Sequence, residues 1–112
     1  MTSPPKVVIH LDERESTLPA LNAAKNLIAD LEGVEVEVVA HADGVEELRT
    51  GSPHAELMDL LAGRGVWFVI CESTLLSRNL SIGDFPGYVG TVPSGVVELV
   101  VREIGGWCYL KP

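Results

Sequence analysis

The chain has 112 residues, of which 46% are hydrophobic, so it is long and apolar enough to bury one compact core. Its formal net charge is −8, from 16 acidic and 8 basic residues, and no cluster of Lys and Arg is present to neutralise phosphates. This charge pattern excludes nucleic acid and anionic membrane surfaces as partners. We expect residues 1–112 to form a single domain without a linker.

The N-terminal segment and the two cysteines indicate a cytoplasmic protein. The segment MTSPPK contains one Lys and no apolar stretch, and no run approaches the roughly 18 apolar residues of a membrane-spanning helix. Cys71 and Cys108 are too few for a disulfide framework and lack the spacing of zinc ligands. Reduced thiols are therefore expected, with a single bridge between them as the open alternative.

Hydrophobic patterns typical of strands and of helices alternate from the start of the chain. Residues 6–11 are short and mostly apolar, which predicts a strand, and a polar loop over residues 12–16 follows its carboxyl end. Apolar residues then recur at helical spacing as far as Leu31, with Ser16 or Thr17 as the cap. The chain therefore begins with a strand, a loop and a helix.

A second strand is predicted over residues 34–42, where Val and Glu alternate before the segment becomes wholly apolar. An interior parallel strand is buried on both faces, so Glu35 and Glu37 are expected at a solvent-facing start of this strand. A short helix over residues 43–49 and an amphipathic helix over residues 54–62 follow it.

Residues 66–70 form the stretch around which the rest of the chain is organised. All five are β-branched or aromatic, which favours a strand buried on both faces, and Cys71 lies at its carboxyl end. Ser73 or Thr74 is expected to cap a short helix that starts there. Ligands and reacting groups collect beyond the carboxyl ends of strands in open α/β sheets, so Cys71 is the leading candidate for chemistry.

The remaining elements are one more helical turn, a strand over residues 88–92, a helix capped by Ser94 and a strand over residues 107–110. The helix has so much apolar surface over residues 96–104 that it must be buried or shared with another subunit. Strands alternate with helices and no hairpin signal is present. This order predicts an α/β fold with a mainly parallel five-stranded sheet covered on both faces.

Opposing effects act on the predicted thiol site. Unpaired N–H groups at a helix start favour the thiolate of Cys71, whereas the adjacent Glu72 carboxylate disfavours a second negative charge unless it points to water. The alternative interpretation of Cys71 is a small buried hydrophobic residue. Cys108 alternates with two aromatic residues in the last strand, so we expect it to pack rather than react.

Two histidines are also placed near the carboxyl ends of predicted strands. His10 and His41 are expected to meet Cys71 in one cleft, either as proton partners or as ligands to a soft metal. Their spacing matches no metal motif, so we expect neither a metal nor a cofactor, and a structural, hydrogen-bonded His10 is the simpler alternative. The loop after the first strand is acidic instead of Gly-rich and no G-x-S-x-G elbow occurs, which argues against nucleotide binding there and a Ser-His-Asp hydrolase.

Five segments of the chain resemble the DsrE/DsrF-like family, and in particular its small stand-alone members described as intracellular sulfur oxidation proteins. These segments are KVVIHLDE, VEVVAHADGV, GVWFVICESTL, VPSGVVELV and GWCYLKP. The resemblance implies a three-layer α/β/α sandwich of Rossmann-like type with strand order 4-3-2-1-5, assembled as a trimer or hexamer. In the family's C-x-x-T-L segment the cysteine is the candidate sulfur carrier, and that position is Cys71 here. The family's Asn two positions later is Ser73 in this chain.

The leading hypothesis is a sulfur-relay protein that carries sulfur as a persulfide on Cys71 and need not turn over a substrate. His41 and His10 are the expected proton partners, and Glu72, Ser73 and Thr74 are expected to contact the bound sulfur group. A sulfur donor or acceptor protein is the implied partner besides further copies of the chain. The alternative hypothesis is a non-catalytic, oligomeric module that binds a small ligand or supports assembly.

Overall fold

The computed structural model describes residues 3–112, so the first two residues of the predicted polar N-terminus lie outside the described chain. Within this range five strands form one sheet in the order β4-β3-β2-β1-β5, and every neighbouring pair is parallel. The strands are β1 (Lys6–Leu11), β2 (Glu35–Ala40), β3 (Trp67–Cys71), β4 (Val89–Val92) and β5 (Cys108–Leu110). The predicted parallel sheet and its strand order are confirmed.

Helical segments connect the strands, because parallel neighbours can be joined only by crossovers. The α-helices are α1 (Thr17–Asp30), α2 (Ala55–Gly63), α3 (Glu72–Ser77) and α4 (Gly95–Ile104). In addition, 3-10 segments lie at Arg14–Ser16, Ala42–Leu48 and Ile82–Asp84. The segment expected as a short helix over residues 43–49 is thus a 3-10 turn that begins one residue earlier. Within residues 3–112, every helix is too short or too polar to span a bilayer.

Successive side chains of a strand point to opposite faces, and the two faces of this sheet bury different cores. The larger core lies on the side of α1 and α2 and includes Ile9, Leu21, Val38, Met58 and Phe68. The smaller core lies on the side of α4 and contains Val8, Val39, Leu99 and Trp107. The fold is therefore a helix–sheet–helix arrangement in which one face is covered less completely than the other.

Glu37 is buried, which corrects the expectation of a solvent-facing position. Its side chain is 2% exposed, because β2 lies between β1 and β3 and α4 covers this part of the strand. Arg102 of α4 compensates the charge, with its Nε 3.1 Å from Glu37 Oε1 and 2.9 Å from Glu98 Oε2. Burial, followed by a hydrogen bond with Glu98, raises the pKa of Glu37 to about 7 against the opposing effect of Arg102. Glu35 does lie at the partly exposed start of the strand.

One further expectation needs correction at the edge of the fold. Cys108 is exposed rather than packed, because β5 is a three-residue edge strand that pairs only with β1. Both cysteines are free thiols. The apolar surface of α4 is not buried within the chain, so of the two expected alternatives an interface with another subunit stays a prediction. Five of its side chains are more than half exposed: Val96, Val97, Val100, Val101 and Ile104.

Candidate functional site

Parallel strands end at the same edge of a sheet, and three of the predicted site residues therefore lie together. His10 is next to the last residue of β1, His41 directly follows β2, and Cys71 ends β3. Gly95, the first residue of α4, lies between two of them. A Cβ atom on this glycine would be 3.2 Å from the Cβ of His41 and 3.3 Å from that of Cys71. Only a residue without a side chain fits this position without a shift of its neighbours.

Cys71 is both the last residue of β3 and the N-cap of α3, with extended backbone angles φ −66° and ψ 118°. The expectation that Ser73 or Thr74 caps this helix is therefore wrong, because the helix begins one residue earlier, at Glu72. Ser73 and Thr74 take the second and third helical positions. The N–H groups of these positions have no partner within a helix and are the ones that an N-cap side chain receives.

The thiol of Cys71 is buried, with 6% of the residue exposed. Burial raises its pKa, but hydrogen-bond donors around the sulfur lower it by more, so the pKa lies below the ordinary value for cysteine. These donors are the backbone N–H groups of Gly95, Thr74 and Ser73 and the hydroxyl of Thr74. The Cys71 side chain makes no capping hydrogen bond to α3, in contrast to the short bond that an N-cap oxygen makes. The donors therefore act on the sulfur from a longer distance. The surroundings favour the thiolate, which is the nucleophilic form.

The side chains that follow Cys71 are each held by another segment. The Glu72 carboxylate is exposed and accepts a hydrogen bond from the Thr91 hydroxyl at 3.1 Å, so its charge is directed towards β4 and solvent. The Ser73 hydroxyl donates to the Pro93 carbonyl at 3.3 Å. Thr74 is 8% exposed, and its hydroxyl oxygen accepts the N–H of Ala42 at 3.1 Å, so the hydroxyl proton is not used in this bond.

His10 and His41 face one another at the same edge of the sheet as Cys71. Their Nε2 atoms are 2.7 Å apart, and the two ring planes are inclined by 19° with centroids 4.9 Å apart, so the rings meet end to end. The other ring nitrogen of His10, Nδ1, is hydrogen-bonded to the Tyr109 hydroxyl at 2.5 Å. Burial lowers the pKa of His10, and although Asp12 opposes this effect, His41 adds to it and the pKa stays below its ordinary value. The surroundings therefore favour the neutral form of His10.

Asp12 and Lys111 complete the cluster of polar side chains around the two histidines. Asp12 lies two residues after His10, and its Oδ2 is 3.9 Å from His10 Nε2 and 3.3 Å from Lys111 Nζ. Its second carboxylate oxygen, Oδ1, is buried, and no hydrogen-bond donor in residues 3–112 reaches it. One ligand atom from each of Asp12, His10 and His41 lies within 4.8 Å of the others.

An apolar cavity of about 210 Å³ lies beside the helix that starts at Cys71. Its lining residues are Glu72, Leu75, Leu76 and Leu80. The cavity adjoins the thiol segment through Glu72, which directly follows Cys71.

The sequence pattern did not identify Gly95 and Tyr109 as residues of this site. It also did not identify Asp12 as a partner of the histidines. Gly95 follows a Pro-Ser pair that looks only like a helix start, and Tyr109 lies on a strand 99 positions from His10. Asp12 is one of four consecutive charged residues, and a signal was available there. It follows His10 by two positions, so the two side chains point to the same face where the strand ends.

A model of the DsrE/DsrF-like family matches residues 7–102. These residues include β1 to β4, α1 to α3, most of α4 and every site residue described above except Tyr109 and Lys111. Among curated proteins, none matches the chain.

Two solved structures are similar over nearly the whole chain. The protein of unknown function MTH1491 from Methanobacterium thermoautotrophicum is 38% identical, with a TM-score of 0.92 over 96% of this chain and 99% of that one. The ychN protein from E. coli is 20% identical, with a TM-score of 0.80 over 96% of this chain and 99% of that one. The second likeness supports the fold alone.

Proposed function

The chain belongs to the DsrE/DsrF-like family, a family related to sulfur relay, and on this basis we propose that it carries sulfur as a persulfide on Cys71. The proposal takes residues 1–112 as one DsrE-like domain that acts in the cytoplasm, where thiols are kept reduced. The observation that carries it is the set of N–H and O–H donors around one buried thiol.

The donors around Cys71 suit sulfur transfer because they stabilise negative charge without supplying an acid of their own. A thiolate attacks the outer sulfur of a donor persulfide, R–S–SH, more readily than a thiol does. One S–S bond forms, to the Cys71 sulfur, and the S–S bond of the donor breaks. The products are Cys71–S–SH and the donor thiolate, R–S⁻, so one neutral sulfur atom changes carrier with no external oxidant or reductant. The reverse exchange with an acceptor thiolate empties the site.

The neighbouring side chains have distinct roles in this proposal. Ser73 and Thr74 act through their backbone N–H groups, and Thr74 also through its hydroxyl, on the negative sulfur. Glu72 lines the apolar cavity, and in this proposal the R group of the donor persulfide enters that cavity. His41 and His10 are the proposed proton partners of the departing thiolate, since imidazole N–H groups can donate a proton or a hydrogen bond to it.

We propose that the chain forms a homo-oligomer, a trimer or hexamer, through α4. Its outer face presents five apolar side chains to solvent, and Ile104 is 81% exposed. A contiguous apolar surface of this kind marks an interface. The Trp67 ring, 48% exposed on the same face of the sheet, lies 6.3 Å from that of Trp107 and extends this surface. A sulfur donor or acceptor protein would then approach the carboxyl edge of the sheet.

Incubation with a small persulfide donor, followed by intact-mass measurement, tests the proposed function. We expect an adduct of one sulfur atom on the wild-type protein and on Cys108→Ser, and none on Cys71→Ser. The Cys108→Ser variant is the matched control, because it removes the other free thiol, which is exposed at the sheet edge. An adduct that persists in Cys71→Ser, or that does not form on Cys108→Ser, would contradict the proposal.

The second candidate function is a small-ligand-binding module, which the apolar cavity favours. A ligand of a few carbon atoms fits its volume of about 210 Å³. The rate at which Cys71 reacts with a thiol reagent under native conditions separates the two functions. If Cys71 reacts no faster in the folded Cys108→Ser variant than a buried cysteine does, the binding module is preferred.

A further inference from the structure

We propose that His10, His41 and Asp12 bind a divalent transition-metal ion of the zinc class. The three residues come from the ends of two neighbouring strands, and their ligand atoms already lie within 4.8 Å of one another. Sequence spacing gave no metal motif, because the ligands come from strands β1 and β2, and the third is Asp12 and not Cys71. The inference extends beyond sulfur transfer and does not rest on it.

The two histidines direct their Nε2 atoms towards each other. Their Nε2 atoms are 2.7 Å apart, so one nitrogen carries a proton and the other accepts it. A metal ion replaces that proton and receives both lone pairs. In tetrahedral zinc coordination, with zinc–nitrogen bonds of about 2.0–2.1 Å, the two nitrogens would be about 3.3 Å apart. Opening the pair by this fraction of an ångström requires rotation of the side chains only.

Asp12 supplies a negative oxygen that the surrounding chain leaves unsatisfied. Its Oδ1 is buried without a donor from residues 3–112, and a buried carboxylate oxygen is costly unless it is hydrogen-bonded or binds a cation. Because Asp12 follows His10 by two residues, both side chains are directed to the same side where β1 ends. A cation between the carboxylate and the imidazoles would satisfy this oxygen.

Tyr109 holds His10 in the orientation that a metal ligand needs. The Tyr109 hydroxyl is hydrogen-bonded to Nδ1 of His10 at 2.5 Å, which leaves Nε2 as the nitrogen directed to the cluster. Metal-binding histidines commonly have their second nitrogen fixed in this way, and loss of the outer partner weakens metal binding by about 10–100-fold. Tyr109 is therefore a positioning residue for the site.

The donor set defines the class of ion. Two imidazoles and one carboxylate suit zinc and neighbouring divalent transition metals, whereas calcium and magnesium prefer oxygen ligands only. Three protein ligands leave a fourth position open in a tetrahedral site. The ion also has to compete with Lys111, whose Nζ is 3.3 Å from Asp12 Oδ2. The Lys111 side chain is 45% exposed and can turn into solvent.

Equilibrium dialysis of the full-length, chelator-treated protein against Zn²⁺, with metal analysis of the protein compartment, tests the site. We expect one ion per chain in the wild-type protein and at least a hundredfold weaker binding in His41→Asn and in Asp12→Asn. His54→Asn is the matched control, because it removes the third histidine of the chain, whose Nε2 contacts Glu47 outside this cluster. Circular dichroism of each variant establishes that it is folded.

Two more variants make the test specific. Tyr109→Phe should weaken zinc binding by about 10–100-fold, and Lys111→Gln should strengthen it by about twofold to fivefold. Three outcomes would overturn the proposal: no zinc on the wild-type protein, equal loss in His54→Asn and His41→Asn, or loss in Cys71→Ser, which would place the thiol among the ligands. The persulfide adduct on Cys71 is measured separately by intact mass. Failure of the zinc proposal and failure of the sulfur-transfer proposal are therefore distinguished.

Discussion

The hydroxyl oxygen of Thr74 accepts the backbone N–H of Ala42 at 3.1 Å, across 32 positions of the sequence. The same hydroxyl is one of the groups that lower the pKa of the Cys71 thiol. One hydroxyl group therefore supports the thiolate and fixes the start of the turn that carries His41. Ala42 has a positive φ of 51°, a conformation that an alanine adopts rarely, and the bond to Thr74 helps to hold it.

Thr74→Val should make the thiol less reactive and raise its pKa. The valine has nearly the same shape but cannot donate to the sulfur, so less thiolate is present at neutral pH. In a Cys108→Ser background we expect alkylation of Cys71 at pH 7 to slow by about threefold to tenfold, the size of one ordinary lost hydrogen bond. The rate is measured against pH with iodoacetamide. Thr74→Ser keeps the hydroxyl and should react like the parent protein, whereas equal rates for the valine and serine variants would contradict this role.

The contribution of Glu37 to stability should fall as the pH rises from about 4.5 to 7, because the pKa of Glu37 is raised from 4.5 to about 7 in the folded protein. Between these values the folded state holds a proton that the unfolded state has lost, so protonation favours folding. The contribution of Glu37 is fully present below pH 4.5 and is lost as the pH passes 7. Its upper limit is about 3 kcal/mol.

Urea unfolding of the wild-type protein and Glu37→Gln, measured from pH 5 to 8, isolates this effect. The glutamine variant should show a flatter dependence of the free energy of unfolding on pH. Glu35→Gln removes an acidic group from the start of the same strand without touching the buried cluster, and is the matched control. Parallel pH curves for the wild-type protein and Glu37→Gln would refute the assignment.

Gly44→Ala should destabilise the protein by about 3 kcal/mol or more, or prevent folding, because a Cβ there would lie 2.1 Å from the backbone oxygen of Leu11. The turn at Ala42–Leu48 packs against the end of β1 at this glycine, and this contact keeps His41 beside His10. Gly63→Ala, where a Cβ meets nothing within 4 Å, should be neutral or slightly stabilising. Urea unfolding of both variants gives the comparison, and similar stabilities would count against the close contact.

Val100→Glu should dissociate the oligomer. Val100 is 53% exposed on the apolar face of α4, and a carboxylate buried in an interface without a partner is strongly unfavourable. Sedimentation velocity at micromolar concentration is expected to show an oligomer for the wild-type protein and a monomer for the variant. Asn26→Glu adds the same charge to the exposed surface of α1 and should leave the oligomer intact. A wild-type monomer would show that α4 is not an interface at this concentration.

Much of the fold could be predicted because it depends on the local spacing of apolar residues in strands and helices. Uninterrupted apolar strands alternate with helical segments, and this order alone requires parallel pairing. The burial of Glu37 could not be predicted in this way, since its compensating partner, Arg102, is 65 positions away on α4. A charged residue in an apolar strand looks exposed until its partner is known.

The site was predictable in part for the same reason. Cys71 and the histidines were recognised because each follows an apolar strand, and strand ends meet at one edge. The role of Cys71 as N-cap, the need for glycine at position 95 and the contact of Tyr109 with His10 depend on how separate segments approach one another. The hydrophobic periodicity of the sequence carries no information about contacts between separate segments.

The edge strand β5 has a consequence for access to the histidine cluster. It has three residues and pairs with β1 alone, yet it carries Tyr109, which contacts His10 from the other end of the chain. Short edge strands open most easily in local fluctuations, with little effect on the central strands. We therefore expect amide hydrogens of β5 to exchange with solvent well before those of β2 and β3. Brief fraying of this strand would uncover His10 while the core of the sheet stays intact.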